Sequence, residues 1–150
     1  MVSIFVAKTA SGPRFFWNID ANVGEKSANR REDVQLVQFG VYCMQFHRDA
    51  NAEEKKAYEI VVPGMLYQGQ KDDPLSLAIR TFGKVRGGPG DGHVSAIKGT
   101  GLLSPSLAFM MVGLSNAMSS LMPEDYPRID KHPRCPLSLG EVVRAFFGVD

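Results

Sequence analysis

The sequence has few cysteines, one tryptophan and almost no net charge. Its 150 residues balance 17 basic side chains against 16 acidic ones, for a formal charge of +1. This balance excludes nucleic-acid or acidic-lipid binding through bulk electrostatic attraction. Cys43 and Cys135 match no C-x-x-C or zinc spacing, and no histidine has a partner at metal-ligand spacing. We therefore expect ordinary thiols, no metal site and no bound cofactor.

The N-terminus lacks the features of a Sec signal peptide. Residues 1–8 have no basic n-region, and their apolar run is too short. We therefore expect the protein to be cytoplasmic as synthesised. A role outside the cytoplasm would need a non-Sec export route, incorporation into a phage particle, or host lysis.

One uncharged stretch, Gly99 to Met122, has the length of a membrane span. Its composition favours a core helix instead, because Pro105, Gly113 and several serines interrupt it. Ser104 as N-cap and Pro105 at the first helical position predict where that helix begins. We expect no membrane span. The helix should bury an apolar stripe formed by Leu107, Met110, Met111, Leu114, Met118 and Leu121.

Strand-forming residues dominate three segments. Residues 2–7 and 14–19 are rich in Val, Ile, Phe and Trp and flank Ser11-Gly12-Pro13, which predicts an N-terminal β-hairpin. Tyr58–Val62 also has strand composition and predicts a third strand. The charged residues 48–57, directly before this third segment, predict a solvated helical turn or a loop.

Apolar residues at helical spacing predict three further helices. The first should begin near Arg30 and continue to about His47, the second should bury Leu75, Ala78, Ile79 and Phe82, and the third should end the chain. Their predicted N-terminal signals are Asn29 with Glu32, Asp73 with Pro74, and Ser138 with Glu141.

These elements predict a mostly helical α+β single domain. Composition supports a globular chain, with 44% hydrophobic and 22% charged residues. We assign residues 1–28 to the β-hairpin and a loop, 29–122 to a helical core, and 123–150 to a Pro-rich segment followed by the C-terminal helix. Four prolines predict that residues 123–136 are an extended surface segment.

Three short segments occur in the order typical of one domain family. Residues 33–41 read Asp-Val-Gln-Leu-Val-Gln-Phe-Gly-Val, residues 78–82 read Ala-Ile-Arg-Thr-Phe, and residues 91–95 read Asp-Gly-His-Val-Ser. They resemble the first helix, the second helix and the Asp-Gly-x-Val-Gly turn of the small three-helix peptidoglycan-binding domain. In the first segment the matching positions are Val34, Val37, Gln38 and Val41.

The chain departs from that family at several positions. The family's first Asp-Gly-x-Phe-Gly-Pro turn is absent, and the longer segment 48–73 stands in its place. Gly83 replaces the Gln after the second-helix Phe, and Ser95 replaces the last Gly of the turn. The resemblance therefore covers about residues 33–95.

The resemblance implies a three-helix peptidoglycan-binding-like core and a non-catalytic function. The implied ligand is the glycan or the stem peptide of the bacterial cell wall, and the implied role is that of a targeting or structural adaptor. Glycan recognition needs flat apolar faces and fixed hydrogen bonds. The implied ligand contacts lie before the second helix and near the turn: Tyr67, Gln68, Gln70, Arg80, Asp91 and His93.

Two other functions stay open. The Met-rich helix 107–122 suits docking of a protein partner or self-association, since methionine adapts to varied apolar surfaces; buried methionines would count against this function. An enzyme would need a site assembled from distant residues, such as Cys135 with a histidine. We assign no catalytic residue, and a non-enzymatic binding module is the favoured interpretation.

Overall fold

The computed structural model describes residues 1–87, 92–98 and 110–149, and it confirms the predicted α+β class. Asp91, Leu107 and the helix start predicted at Ser104–Pro105 lie outside these residues. The described strands are β1 (Ser3–Thr9), β2 (Gly12–Asn18), β3 (Val23–Gly24) and β4 (His93–Val94). The helices are α1 (Arg31–Met44), α2 (Ala52–Tyr58), α3 (Pro74–Arg86), α4 (Met110–Leu121) and α5 (Leu137–Phe146).

The predicted N-terminal hairpin is confirmed. β1 and β2 pair antiparallel, with Phe5 opposite Phe16 and Ile4 opposite Trp17. Phe16 and Trp17 are buried, so the hairpin packs against the helices. Such packing is needed because an isolated two-stranded hairpin is only marginally stable in water.

α1 lies at the centre of the core. Leu36, Val37 and Phe39 are fully buried. Gly40 allows a close approach to α4, because a Cβ atom built at Gly40 would lie 2.7 Å from the Cβ of Leu114. A larger residue at position 40 would push these two helices apart.

α4 buries the methionines that the sequence places on its apolar stripe. Met111 and Met118 are fully buried, and Met122, which follows the helix, is nearly so. This burial counts against docking of a partner through a Met-rich face. Among the described residues, no helix is both long and apolar enough to cross a membrane.

The strand predicted over Tyr58–Val62 is wrong, because Tyr58 is the last residue of α2. The segment 48–57, predicted as a solvated helical turn or a loop, contributes most of this helix. Asn51 and Glu54 form a reciprocal capping box that begins α2. Tyr58, one turn after Glu54, points into the core and donates a hydrogen bond from its hydroxyl to the Glu54 carboxylate at 3.0 Å.

Two predicted capping boxes are also wrong, although α1 and α5 begin close to the predicted positions. Asn29 pairs its side-chain amide with the backbone N–H and carbonyl of Gly24, at 2.8 and 2.9 Å. The Ser138 hydroxyl donates to the side-chain oxygen of Gln35 at 2.9 Å. Short polar side chains form such bonds in competition with helix caps. α1 also ends at Met44, three residues before the predicted limit.

Residues 123–136 are not the extended segment that their prolines predict. They form successive turns and a short 3-10 helix, Ile129–Lys131, whose Ile129 is fully buried. Arg128 stabilises this region through two bonds to Asp130, at 2.8 and 2.7 Å. The Trp17 indole donates to the carbonyl of Pro127 at 2.8 Å, which joins the segment to the hairpin.

Buried side-chain amides hold distant loops to the core. Gln38 donates to the carbonyl of Met65 and accepts from the N–H of Gly64, both at 2.9 Å. Asn18 binds the N–H and the carbonyl of Ile97 at 2.8 and 3.1 Å. Each side-chain amide uses one N–H donor and its oxygen acceptor here, as a backbone residue does in a β-bridge. In this way backbone groups in loops without regular secondary structure find hydrogen-bond partners.

Replacing Gln38 with leucine is expected to lower the free energy of unfolding by about 2 kcal/mol, because the Gly64 N–H and the Met65 carbonyl lose their partner. Urea denaturation measures this change, and hydrogen exchange of the Gly64 amide should become faster. The control is Gln70→Leu, since Gln70 is exposed and should tolerate the same substitution. Equal stability of the two variants would contradict the role assigned to Gln38.

Candidate functional site

The candidate site is built around a two-residue antiparallel bridge between β3 and β4. Val23 pairs with Val94 and Gly24 with His93. Glu25 extends the bridge by donating its N–H to the carbonyl of Gly92 at 3.3 Å. The bridge brings the loop before α1 next to residues 92–94, which belong to the turn expected from the resemblance.

Two glycines make this bridge possible. Gly92 has a φ of 80° and Gly24 a φ of 138°, in the region that favours glycine. A Cβ atom at Gly24 would collide with the carbonyl oxygen of Gly92. Glycine is therefore needed at both positions, and the requirement at Gly24 has no signal in the local sequence.

Arg80 connects three segments at the bridge. Its guanidinium donates to the Glu25 carboxylate at 2.6 Å and to the carbonyl of Lys71 at 2.8 Å. The Arg80 side chain is 31% exposed and that of Glu25 is 26% exposed. The guanidinium of Arg80 is therefore held in one orientation, and about a third of the side chain is exposed.

Tyr67 is fixed beside this ion pair. Its hydroxyl shares a 2.7 Å hydrogen bond with the hydroxyl of Ser76, which is buried at the start of α3. Burial raises the pKa of Tyr67, so its phenol is neutral at physiological pH. The Tyr67 side chain is half-buried and packs against the core.

Gln68 and Gln70 lie on an exposed loop whose backbone is fixed. Both backbone N–H groups donate to one carboxylate oxygen of Asp73, each at 3.0 Å. Asp73 therefore stabilises this loop and makes no side-chain bond to α3, although the helix begins at Pro74 as predicted. Within the described residues, neither glutamine side chain makes a hydrogen bond, so both amides face outward.

The structure brings five of the six predicted contacts into one region. Gly69, in the middle of the glutamine loop, packs against β3: a Cβ atom there would lie 3.7 Å from the Gly24 carbonyl oxygen. His93 is half-buried and forms part of β4. Asp91 lies outside the described residues. The five that converge are Tyr67, Gln68, Gln70, Arg80 and His93.

Two members of this region were not predicted from the sequence. Glu25 is the carboxylate partner of Arg80, 55 positions away, and Ser76 is the partner of Tyr67. The only local signal was the polar composition of residues 24–31, which indicates a loop without identifying its contacts. Long-range partners of this kind depend on the tertiary fold.

The thiol that the sequence offers as a nucleophile is not activated. Burial, together with the nearby Asp130 carboxylate, raises the pKa of Cys135 to about 12. Burial also raises the pKa of Cys43. His132 accepts a hydrogen bond at Nδ1 from the N–H of Arg134 at 3.0 Å, and its ring packs against Phe39. A thiol needs a lowered pKa to react readily at neutral pH.

The described part of the chain contains no group of three His, Cys, Asp or Glu side chains placed to hold a metal ion. The site at the bridge instead offers two glutamine amides, the Arg80–Glu25 ion pair, one imidazole and two hydroxyls. Such groups recognise ligands by hydrogen bonding. Comparison with known protein families, curated sequences and solved structures finds no match to this chain.

Proposed function

We propose that the protein is a non-catalytic cell-wall-binding module that recognises the glycan or the stem peptide of peptidoglycan. In this role it acts as a targeting or structural adaptor. One observation carries the proposal: residues 33–41, 78–82 and 92–95, which carry the family resemblance, belong to elements that meet at the β3–β4 bridge. Side chains that are distant in sequence thereby form one polar surface.

The chemistry of this surface supports binding rather than reaction. Gln68 and Gln70 present exposed amides that can donate to and accept from sugar hydroxyls, N-acetyl groups and peptide bonds. Arg80 is positioned by Glu25 and Lys71 before any ligand arrives. Preorganisation of this kind raises affinity because little conformational entropy is lost on binding.

Co-sedimentation with insoluble peptidoglycan sacculi tests the proposal. The double variant Gln68→Ala/Gln70→Ala should bind about thirtyfold more weakly than the wild type, since the two lost hydrogen bonds cost on the order of 1 kcal/mol each. Both side chains are exposed, so folding should be unaffected.

The matched control is Gln45→Ala. Gln45 follows the opposite end of α1, about 20 Å along the helix from the bridge, and its amide donates to the carbonyl of Tyr42. This variant should bind sacculi like the wild type. Unchanged pelleting of the double variant would place the binding surface elsewhere on the protein.

A further inference from the structure

A groove of about 780 Å³ lies on the surface between α2 and α3. Glu53, near the start of α2, contacts Lys84, near the end of α3, at 3.1 Å, so the two helices run antiparallel. α2 belongs to the segment 48–73 that stands where the resembled family has a turn. The groove is therefore a feature of this chain beyond the resemblance, and we call it the α2–α3 groove.

The α2–α3 groove adjoins the candidate site at Arg80, which lines both. The exposed Lys84–Glu53 pair also lines the groove. The length of the groove, about seven helical residues at 1.5 Å each, is roughly 10 Å. An extended peptide rises about 3.3 Å per residue, so the groove accommodates about three residues.

We propose that the α2–α3 groove binds the stem peptide of peptidoglycan, so that the peptide rather than the glycan provides the main contacts. This inference rests on the proposed cell-wall function and specifies which part of the polymer is recognised. It follows from the apolar floor of the groove and from the charges on its two rims.

The floor of the α2–α3 groove suits small methyl side chains. Ala57, Ile60 and Leu77 line it, and Ile60 and Leu77 are 47% and 39% exposed. No aromatic ring is among the described residues that line the groove. Sugar rings bind flat aromatic faces, whereas the alanine methyl groups of a stem peptide fit between aliphatic side chains.

The α3 rim of the groove carries two cationic side chains, each of which pairs with a glutamate. Arg80 and Lys84 lie four residues apart on α3, which places them about 6 Å apart along the helix. A stem peptide containing diaminopimelate carries carboxylates on its D-glutamate, on its diaminopimelate side chain and at its C-terminus, so it can form charge-assisted hydrogen bonds with these cations.

The α2 rim supplies charges of both signs. Lys56 and Glu59 line the groove, and neither makes an ion pair with any described residue. Lys56 can therefore bind a ligand carboxylate from the side opposite α3, and the Glu59 carboxylate can accept hydrogen bonds from the ammonium group of diaminopimelate. The Lys84–Glu53 pair is solvent-exposed, so a ligand carboxylate can replace Glu53 at small cost.

Titration calorimetry with a soluble pentapeptide tests the inference. The probe is L-Ala-γ-D-Glu-meso-diaminopimelate-D-Ala-D-Ala, and the variants are Lys56→Glu and Lys55→Glu. Both lysines are exposed on α2, but Lys55 does not line the groove. The two variants have the same net charge. We expect Lys56→Glu to weaken binding at least tenfold and Lys55→Glu to change it less than twofold.

A second measurement separates this inference from the proposed function. Wild-type protein is sedimented with intact sacculi and, in parallel, assayed for binding to glycan strands freed of peptide by an amidase. Binding to sacculi and to the pentapeptide, but not to bare glycan, supports the groove. Equal binding to bare glycan and sacculi, or equal losses in the two lysine variants, overturns the groove but leaves the proposed function standing. Failure to pellet with sacculi overturns both.

Discussion

Replacing Glu54 with alanine is expected to lower the free energy of unfolding by about 3 kcal/mol. The Glu54 carboxylate is 1% exposed, and it accepts hydrogen bonds from the Arg86 guanidinium at 2.9 and 3.1 Å. It also accepts from the hydroxyl of Tyr58 and the N–H of Asn51. Its removal leaves the partly buried guanidinium of Arg86 without a carboxylate, and breaking a buried ion pair from one side is strongly destabilising.

The control for this prediction is the neighbouring pair between Glu53 and Lys84. That pair joins the same two helices but is solvent-exposed, so Glu53→Ala should cost less than about 1 kcal/mol. Urea denaturation of both variants, followed by circular dichroism, gives the two values. Similar losses for Glu53→Ala and Glu54→Ala would show that burial does not strengthen the Glu54–Arg86 pair.

Replacing Trp17 with alanine is expected to lower the free energy of unfolding by about 4 kcal/mol, near the upper range for large-to-small core substitutions. Trp17 is fully buried, and its ring meets Phe146 and Phe147 edge-to-face at centroid distances of 5.5 and 6.2 Å. Its indole N–H donates to the carbonyl of Pro127. The single residue thus joins the hairpin, the Pro-rich segment and the C-terminal helix.

Thermal and urea unfolding measured by circular dichroism test this prediction, because the variant has no tryptophan left for fluorescence. Phe46→Ala is the control, since Phe46 is 55% exposed and its removal should cost much less. A loss below 1 kcal/mol for Trp17→Ala would contradict the position of Trp17 in the core.

The elements predicted correctly are those with a strong local signal. Helix α3 follows from Asp73-Pro74 and from apolar residues at helical spacing, and the hairpin follows from two β-rich runs around Gly12. The strand predicted over residues 58–62 fails because β-branched composition is a weak preference that tertiary packing overrides. The signal for α2 was present at Asn51 and Glu54, within a segment assigned to a solvated helical turn or a loop.

Polar residues were harder to interpret than apolar ones. Asn29 and Ser138 have the spacing of helix caps, yet their side chains bind Gly24 and Gln35. A short polar side chain has several possible partners, and only the fold decides which is used. For the same reason the sequence could place Arg80 near the site without identifying Glu25 as its partner.

Saturation of peptidoglycan sacculi with the wild-type protein, at low and at high salt, tests the central claim most directly. An unrelated protein of similar small net charge serves as the control. A specific site built from fixed hydrogen bonds predicts saturable pelleting that survives high salt, because salt screens general charge attraction far more than short hydrogen bonds. Pelleting no greater than that of the control protein, or pelleting lost entirely at high salt, would contradict the claim.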